Sequence, residues 1–180
     1  MVVMIGIDGR CASGKTTLAA MLRDRLGCAV VHMDDFFLRP EQRSPERLAQ
    51  PGGNVDRERV EHEVLAPLDR GDAVAFHPWD CHAGRFADDV VTVDPSATPV
   101  VLVEGSYALH PDLRRYYRLS VFLDISPEEQ LRRLARRNPT MLQRFRDEWI
   151  PLEERYFEAT GAREAADVVV TVDLRGPAIG

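Results

Sequence analysis

Cysteine is scarce in this chain: Cys11, Cys28 and Cys81 are the full complement. They are odd in number, widely spaced and without a C-x-x-C pair, which fits free thiols in a reducing compartment and speaks against a disulfide framework or a zinc site. Long apolar runs are also missing. The apolar start from Val2 to Ile7 is too short for a secretory core with its flanks, and no stretch approaches the roughly 20 apolar residues that span a bilayer. A cytoplasmic protein with no membrane partner is therefore expected. There is no basic excess either: lysine plus arginine total 23 against 29 aspartate plus glutamate, a net charge of −6, which argues against a nucleic-acid partner. No internal repeat occurs, and the N-K-x-D base-reading motif of G proteins is absent. With 180 residues, one self-supporting domain over 1–180 is the expectation.

What is present is concentrated in Gly9-Arg10-Cys11-Ala12-Ser13-Gly14-Lys15-Thr16, a complete fit to GxxxxGK[ST]. An apolar strand-like run precedes it, and Thr17 to Leu26 follows with apolar positions 18, 19, 22 and 26 on one helical face. Gly9 and Gly14 lack a Cβ, so the backbone can wrap an anion closely and turn its N–H groups inward. The helix beginning near Gly14 or Lys15 adds its positive end. In such a loop Lys15 reaches the β and γ phosphates of a nucleotide and the Thr16 hydroxyl holds Mg²⁺.

Four further strands are predicted at Ala29–Met33, Pro99–Glu104, Leu119–Ile125 and Asp167–Val172, each a continuous apolar run of the kind covered on both faces in a parallel sheet. Ser126-Pro127-Glu128-Glu129 is a capping box that opens a helix through Arg137. Met141 to Ala159 carries a long amphipathic pattern that Pro151 should kink. Two stretches interrupt the strand–helix alternation. Asp34 to Asn54 is a polar connection, and Asp72 to Asp94 reads as a β-hairpin around a tip at His77 to Arg85. The fold expected is therefore α/β, a P-loop NTPase fold with a parallel β-sheet flanked by helices, an inserted β-hairpin and an arginine-rich lid. Residues 34–95 would supply acceptor-binding insertions and 130–145 the lid.

Carboxylates stand where such a sheet binds ligands, at the carboxyl ends of its strands. Asp34, after the second strand, can orient a hydroxyl nucleophile, take its proton and lie beside the metal. Glu104 ends another strand and is followed by glycine, a position that acts through Mg²⁺ or its water shell. Arginines 132, 133, 136 and 137 form two i,i+4 pairs on one helix and cannot all point one way. Arg133 and Arg137 rank slightly ahead as phosphate contacts. Asn54 and Asp56 could hydrogen-bond a polyhydroxyl substrate, although Asn54 also suits the cap of a helix starting near Val55. At the hairpin tip Trp79 and His82 could stack on and read a planar base. His32, His62 and His110 have no metal-ligand spacing and read as ordinary polar residues.

Taken in order, G-R-C-A-S-G-K-T-T, M-D-D-F-F, P-W-D-C-H, V-T-V-D-P leading into V-E-G, and Q-L-R-R-L-A-R-R resemble the uridine kinase family of P-loop kinases from about Val3 to Val172. The resemblance implies ATP- and Mg²⁺-dependent phosphorylation of a nucleoside, such as uridine or cytidine, at its 5′-hydroxyl. It sets Asp34 on the family's catalytic Asp and Glu104 on the Glu that organises metal and substrate. Trp79 and His82 fall near the pyrimidine contacts, and Asp56 or Asn54 near the ribose-binding Asp. Family members are often oligomers, so a homo-oligomer is among the expectations. The sequence departs from the family at the tip, where Trp replaces Tyr, in P-G-G-N-V-D before Asp56, and in the short segment after Arg137. A kinase for another small metabolite, of pantothenate or sugar type, and a nucleotide-dependent switch remain as alternatives.

Overall fold

The computed structural model describes residues 2–172. Strand β1, Val3–Gly9, runs into the glycine loop and helix α1, Lys15–Leu26, and the chain returns through β2, Ala29–His32. The long connection that follows holds short turns of 3₁₀ helix, α2 at Pro45–Leu48 and α3 at Arg57–Val60. A π-type turn carries α3 into α4, Ala66–Arg70. The hairpin pairs β3, Val74–Phe76, with β6, Val91–Val93, and encloses a smaller ribbon of β4, Trp79–Asp80, and β5, Arg85–Phe86. Next come β7, Val100–Glu104, α5, Pro111–Arg114, and β8, Leu119–Asp124. The last elements are α6, Pro127–Arg137, α7, Leu142–Arg144, α8, Ile150–Thr160, and β9, Val168–Thr171.

The five apolar runs form one parallel sheet in the order β2-β7-β1-β8-β9. Side chains alternate across it. Val101 and Val103 pack into a large core shared with Leu109, Phe122 and Tyr156, while Leu102 packs into a smaller one with Ile7 and Ala19 beneath α1. This two-sided burial is the physical reason the strands read as unbroken apolar runs. The register places Ile7, Glu104 and His32 in one row, so the ends of β1, β7 and β2 open on a common edge.

One local expectation is corrected. Asp56, not Asn54, caps α3, its carboxylate accepting the Arg59 N–H at 3.1 Å. Val55 is held in a bridge to Phe37, so the helix starts only after it. Pro151 lies inside the continuous helical run 142–160, just after its π-type turn Phe145–Trp149. A π-type turn beside a proline is how a helix accommodates the missing N–H.

Gly9 is needed where it stands. Its φ is 141°, and a Cβ there would lie 2.2 Å from the Leu123 carbonyl oxygen on the neighbouring strand. The residue before it, Asp8, is wholly buried. One carboxylate oxygen accepts the N–H groups of Gly9 at 2.7 Å and Tyr107 at 3.2 Å. The other accepts the Leu109 N–H at 2.9 Å and the Tyr156 hydroxyl at 2.8 Å. Burial pushes this carboxyl up, while the donors and Lys15 pull it back. Asp8→Asn places an NH₂ group against two of those donors and should destabilise the fold by roughly 3 kcal/mol, on the scale of a buried donor left unpaired. Urea unfolding measures this, and an unchanged midpoint would show that the Asp8 bonds contribute no net stability.

Candidate active site

The site grows from the end of β1. Gly14 caps α1 with φ 106° and has open space where a Cβ would stand. It brings no side chain to the helix N-terminus, so the first-turn N–H groups of α1 are left for an anion. Lys15, the only lysine in the sequence, is largely buried. It curls over the loop, donating to the carbonyls of Gly9 at 2.8 Å and Arg10 at 3.0 Å. The Ser13 hydroxyl is buried in the loop with no partner. An orphan hydroxyl, a lysine and free N–H groups on one concave surface suit a polyphosphate, the donor set an ATP tail requires.

Asp34 lies in the 3₁₀ turn Met33–Phe36 at the end of β2 and faces the same space. Burial pushes its carboxyl up, Lys15 opposes this, and Glu104 adds to the rise. Glu104 is 3 % exposed at the end of β7. Its Oε1 accepts the Thr16 hydroxyl at 3.0 Å and lies 2.6 Å from His32 Nδ1. That hydrogen bond holds the His32 imidazole above its ordinary range, so His32 is not the ordinary polar residue the spacing suggested. Thr16, Asp34 and Glu104 present hard oxygen donors only. Among the described residues no cluster of three His, Cys, Asp or Glu could hold a metal alone. A hydroxyl and one or two carboxylates completed by phosphate oxygens is the pattern Mg²⁺ uses, and these residues fit it.

A cavity of about 1000 Å³ joins these groups, large enough for a nucleotide and a second small molecule side by side. Lys15, Thr16, Asp34, Asn54, His82, Glu104, Arg133 and Arg137 all line it, with Cys11, Ala12, Gly14 and Thr17 of the loop. Arg133 donates to the Ala12 and Ser13 carbonyls at 3.1 Å and pairs with Glu129 at 2.6 Å. Arg137 approaches Cys11 Sγ at 3.8 Å. Arg132 turns to Glu129 at the surface, while Arg136 also reaches the cavity. Trp79 and Asp56 are set apart from it. Trp79 pairs with Phe86 across the inner ribbon, ring centroids 5.2 Å apart, which fixes it in the hairpin's own packing. The Asp56 carboxylate is engaged by the Arg59 N–H and by Gln42 Nε2 at 2.6 Å.

Phe37 and Tyr107 line the cavity beside Asn54 and were not foreseen, nor was Glu153. Glu153 is 3 % exposed on α8. It falls at helical spacing from Trp149 and Tyr156 on the apolar stripe of Met141 to Ala159. A glutamate interrupting an apolar stripe is the signal that could have found it.

No protein-family model matches the chain. Nicotinamide riboside kinase 1 of Rattus norvegicus is 29% identical over 140 residues, 74% of this chain and 66% of that protein. Uridine kinase of Geobacillus kaustophilus (strain HTA426) is 27% identical over 185 residues, covering 93% and 85%. A bifunctional alpha-galactosidase/sucrose kinase of Mediterraneibacter gnavus is 31% identical over 159 residues, 76% of this chain and 16% of the larger protein. Among solved structures, that of a possible uridine kinase from Bacillus stearothermophilus matches with a TM-score of 0.69 at 25% identity, covering 93% of this chain and 88% of that one. The chain is thus similar to uridine and nicotinamide riboside kinases along most of its length. Its five-stranded parallel sheet is the fold of those P-loop kinases. No helix among the described residues is long and apolar enough to cross a membrane.

The single lysine of the chain gives a direct test of the candidate phosphate site. Pyridoxal phosphate followed by borohydride should label Lys15, and ATP with Mg²⁺ should suppress that labelling at least about tenfold when well above its Kd. Peptide mapping by mass spectrometry reads the result. Labelling of Lys15 at an unchanged rate under saturating ATP would remove the loop from nucleotide binding.

Proposed function

We propose that the protein is an ATP- and Mg²⁺-dependent kinase that transfers the γ-phosphoryl group to a hydroxyl of a small acceptor, first of all the 5′-hydroxyl of a nucleoside. The observation that carries this reading is that Asp34, Lys15, Thr16 and Glu104 meet on one cavity. The Gly9–Thr16 loop with Lys15 holds the triphosphate; Thr16 and Glu104, with Asp34 nearby, would hold Mg²⁺, which when bound would offset charge on the phosphate oxygens. Asp34 takes the hydroxyl proton as the acceptor oxygen bonds to the γ phosphorus and the nucleoside diphosphate departs. Its burial makes it a stronger base than a solvated carboxylate. Arg133 and Arg137 border the cavity from α6, where guanidinium groups stabilise charge on the transferring group and α6 shields the site from water.

Nucleoside acceptors are favoured because uridine and nicotinamide riboside kinases are among the relatives. On the acceptor side Phe37 and Tyr107 offer ring faces and Asn54 an amide whose oxygen is buried without a partner. A free sugar is the second reading. The sucrose kinase relative points to it, and the withdrawal of Trp79 from the cavity leaves a wall suited to hydroxyl groups as well as to a base.

ATP consumption measured across uridine, cytidine, nicotinamide riboside, other nucleosides, pantothenate and free sugars should rise sharply with one acceptor class. Stimulation by sugars alone replaces the nucleoside assignment, and stimulation by nothing in the panel removes the acceptor reading. With the active acceptor, Asp34→Asn should keep ATP affinity and lower kcat at least about a hundredfold, the size expected for loss of a catalytic base. Wild-type turnover in that variant would take Asp34 out of the chemistry.

A further inference from the structure

We propose that Glu153 is a positioning residue for the nucleotide half of the site, holding the phosphate loop in its binding shape and setting the arginine-bearing helix α6 against it. One oxygen of its carboxylate accepts the Cys11 N–H at 2.8 Å and the Ser106 hydroxyl at 3.1 Å. The other accepts Gln130 Nε2 at 2.8 Å. Cys11 lies inside the glycine loop, Ser106 directly follows Glu104-Gly105, and Gln130 is the fully buried anchor of α6 one turn before Arg133 and two turns before Arg137. One side chain thus joins three segments that are far apart in sequence and that each contribute to the phosphate end of the cavity.

Placing a carboxylate there carries an electrostatic cost, since it lines a cavity built for phosphates. Burial raises it and the nearby Lys15 offsets that. An apolar residue would fill the same volume without this cost, so the geometry points to the hydrogen bonds as the reason an acid occupies the position. Adjacent Glu154 pairs through both oxygens with Arg10, so two consecutive loop residues are tied to two consecutive residues of α8. The loop's shape is therefore set from outside the strand and helix that flank it. Through Gln130, the placement of Arg133 and Arg137 depends on the same carboxylate.

The effect on turnover rests on the kinase reading, whereas the effect on nucleotide binding does not, so binding of ATP with Mg²⁺ is measured calorimetrically without acceptor. Glu153→Gln keeps an oxygen for Cys11 and Ser106, and its amide can meet the unpartnered Gln130 oxygen. It should bind within about threefold of wild type or more tightly, having shed the charge. Glu153→Leu should bind at least about tenfold more weakly, the loss of one or two buried hydrogen bonds. Gln130→Met, which cuts only the tie to α6, should fall between them. Where an acceptor is known, Glu153→Leu should raise the KM for ATP and leave the acceptor KM unchanged, a split that a general loosening of the fold would not produce. Wild-type affinity in a folded Glu153→Leu variant overturns the proposal, as does an equal loss in Glu153→Gln, which would assign the effect to charge. If Glu153→Leu does not fold, wild-type affinity in Gln130→Met overturns it.

Discussion

The buried carboxylate of Asp8 is the contact on which the arrangement of the site depends. It is the next-to-last residue of β1 and accepts from the first N–H of the glycine loop, from two N–H groups of the segment after β7, and from a hydroxyl on α8. Tyr107, one of those donors, has φ 72°, a left-handed conformation that costs a non-glycine residue of order 1 kcal/mol. Asp8 offsets that cost by accepting its N–H, and Tyr107 is thereby turned so that it lines the cavity. The same carboxylate that starts the phosphate loop thus shapes the acceptor wall.

The acceptor half is held differently, by cation and ring contacts around Arg59. Its guanidinium lies 4.7 Å from the Phe36 ring centroid and 4.8 Å from that of Phe86, pairs with Glu63, and donates to the carbonyls of Asp35 and His77. Phe36 and Asp35 belong to the turn that carries Asp34, whereas Phe86 and His77 belong to the hairpin. Hairpin and catalytic turn are therefore bound to one side chain. The Asp34 turn and the hairpin thus share one anchor, whereas the glycine loop is held by backbone geometry and buried carboxylates.

This division explains what was legible in the sequence. The loop from Gly9 to Thr16 could be placed directly because its residue types at that spacing belong between a strand and a helix, where the fold has them. Strand ends marked by Asp34 and Glu104 were legible because a buried parallel strand leaves a visible apolar run with an acid after it. Glu153 was hidden, since its partners Cys11, Ser106 and Gln130 are distant in the chain and the bonds exist only after folding. Trp79 was misleading for the opposite reason. A tryptophan at a hairpin tip has the right chemistry to stack on a base, but the two-residue ribbon sets it opposite Phe86, and that pairing satisfies its apolar surface within the hairpin.

On the proposed reading, and with Trp79 outside the cavity lining, recognition of the acceptor falls to residues on two kinds of support. Phe37 and Asn54 sit on two stretches of the long connection pinned together by the Phe37–Val55 bridge, and Tyr107 is tied to β1 through Asp8. His82 alone comes from the tip of the hairpin, whose turn is held by the Asp80 carboxylate accepting the N–H groups of His82 and Ala83. Groups on fixed supports discriminate by shape, because a ligand that leaves the buried Asn54 oxygen unpaired loses the cost of its desolvation. A group on a hairpin tip adjusts to the ligand and discriminates less. On the proposed reading, the features that separate one hydroxyl compound from another should therefore lie at Phe37, Asn54 and Tyr107 rather than at the tip, where the sequence departs most visibly from the uridine kinase pattern.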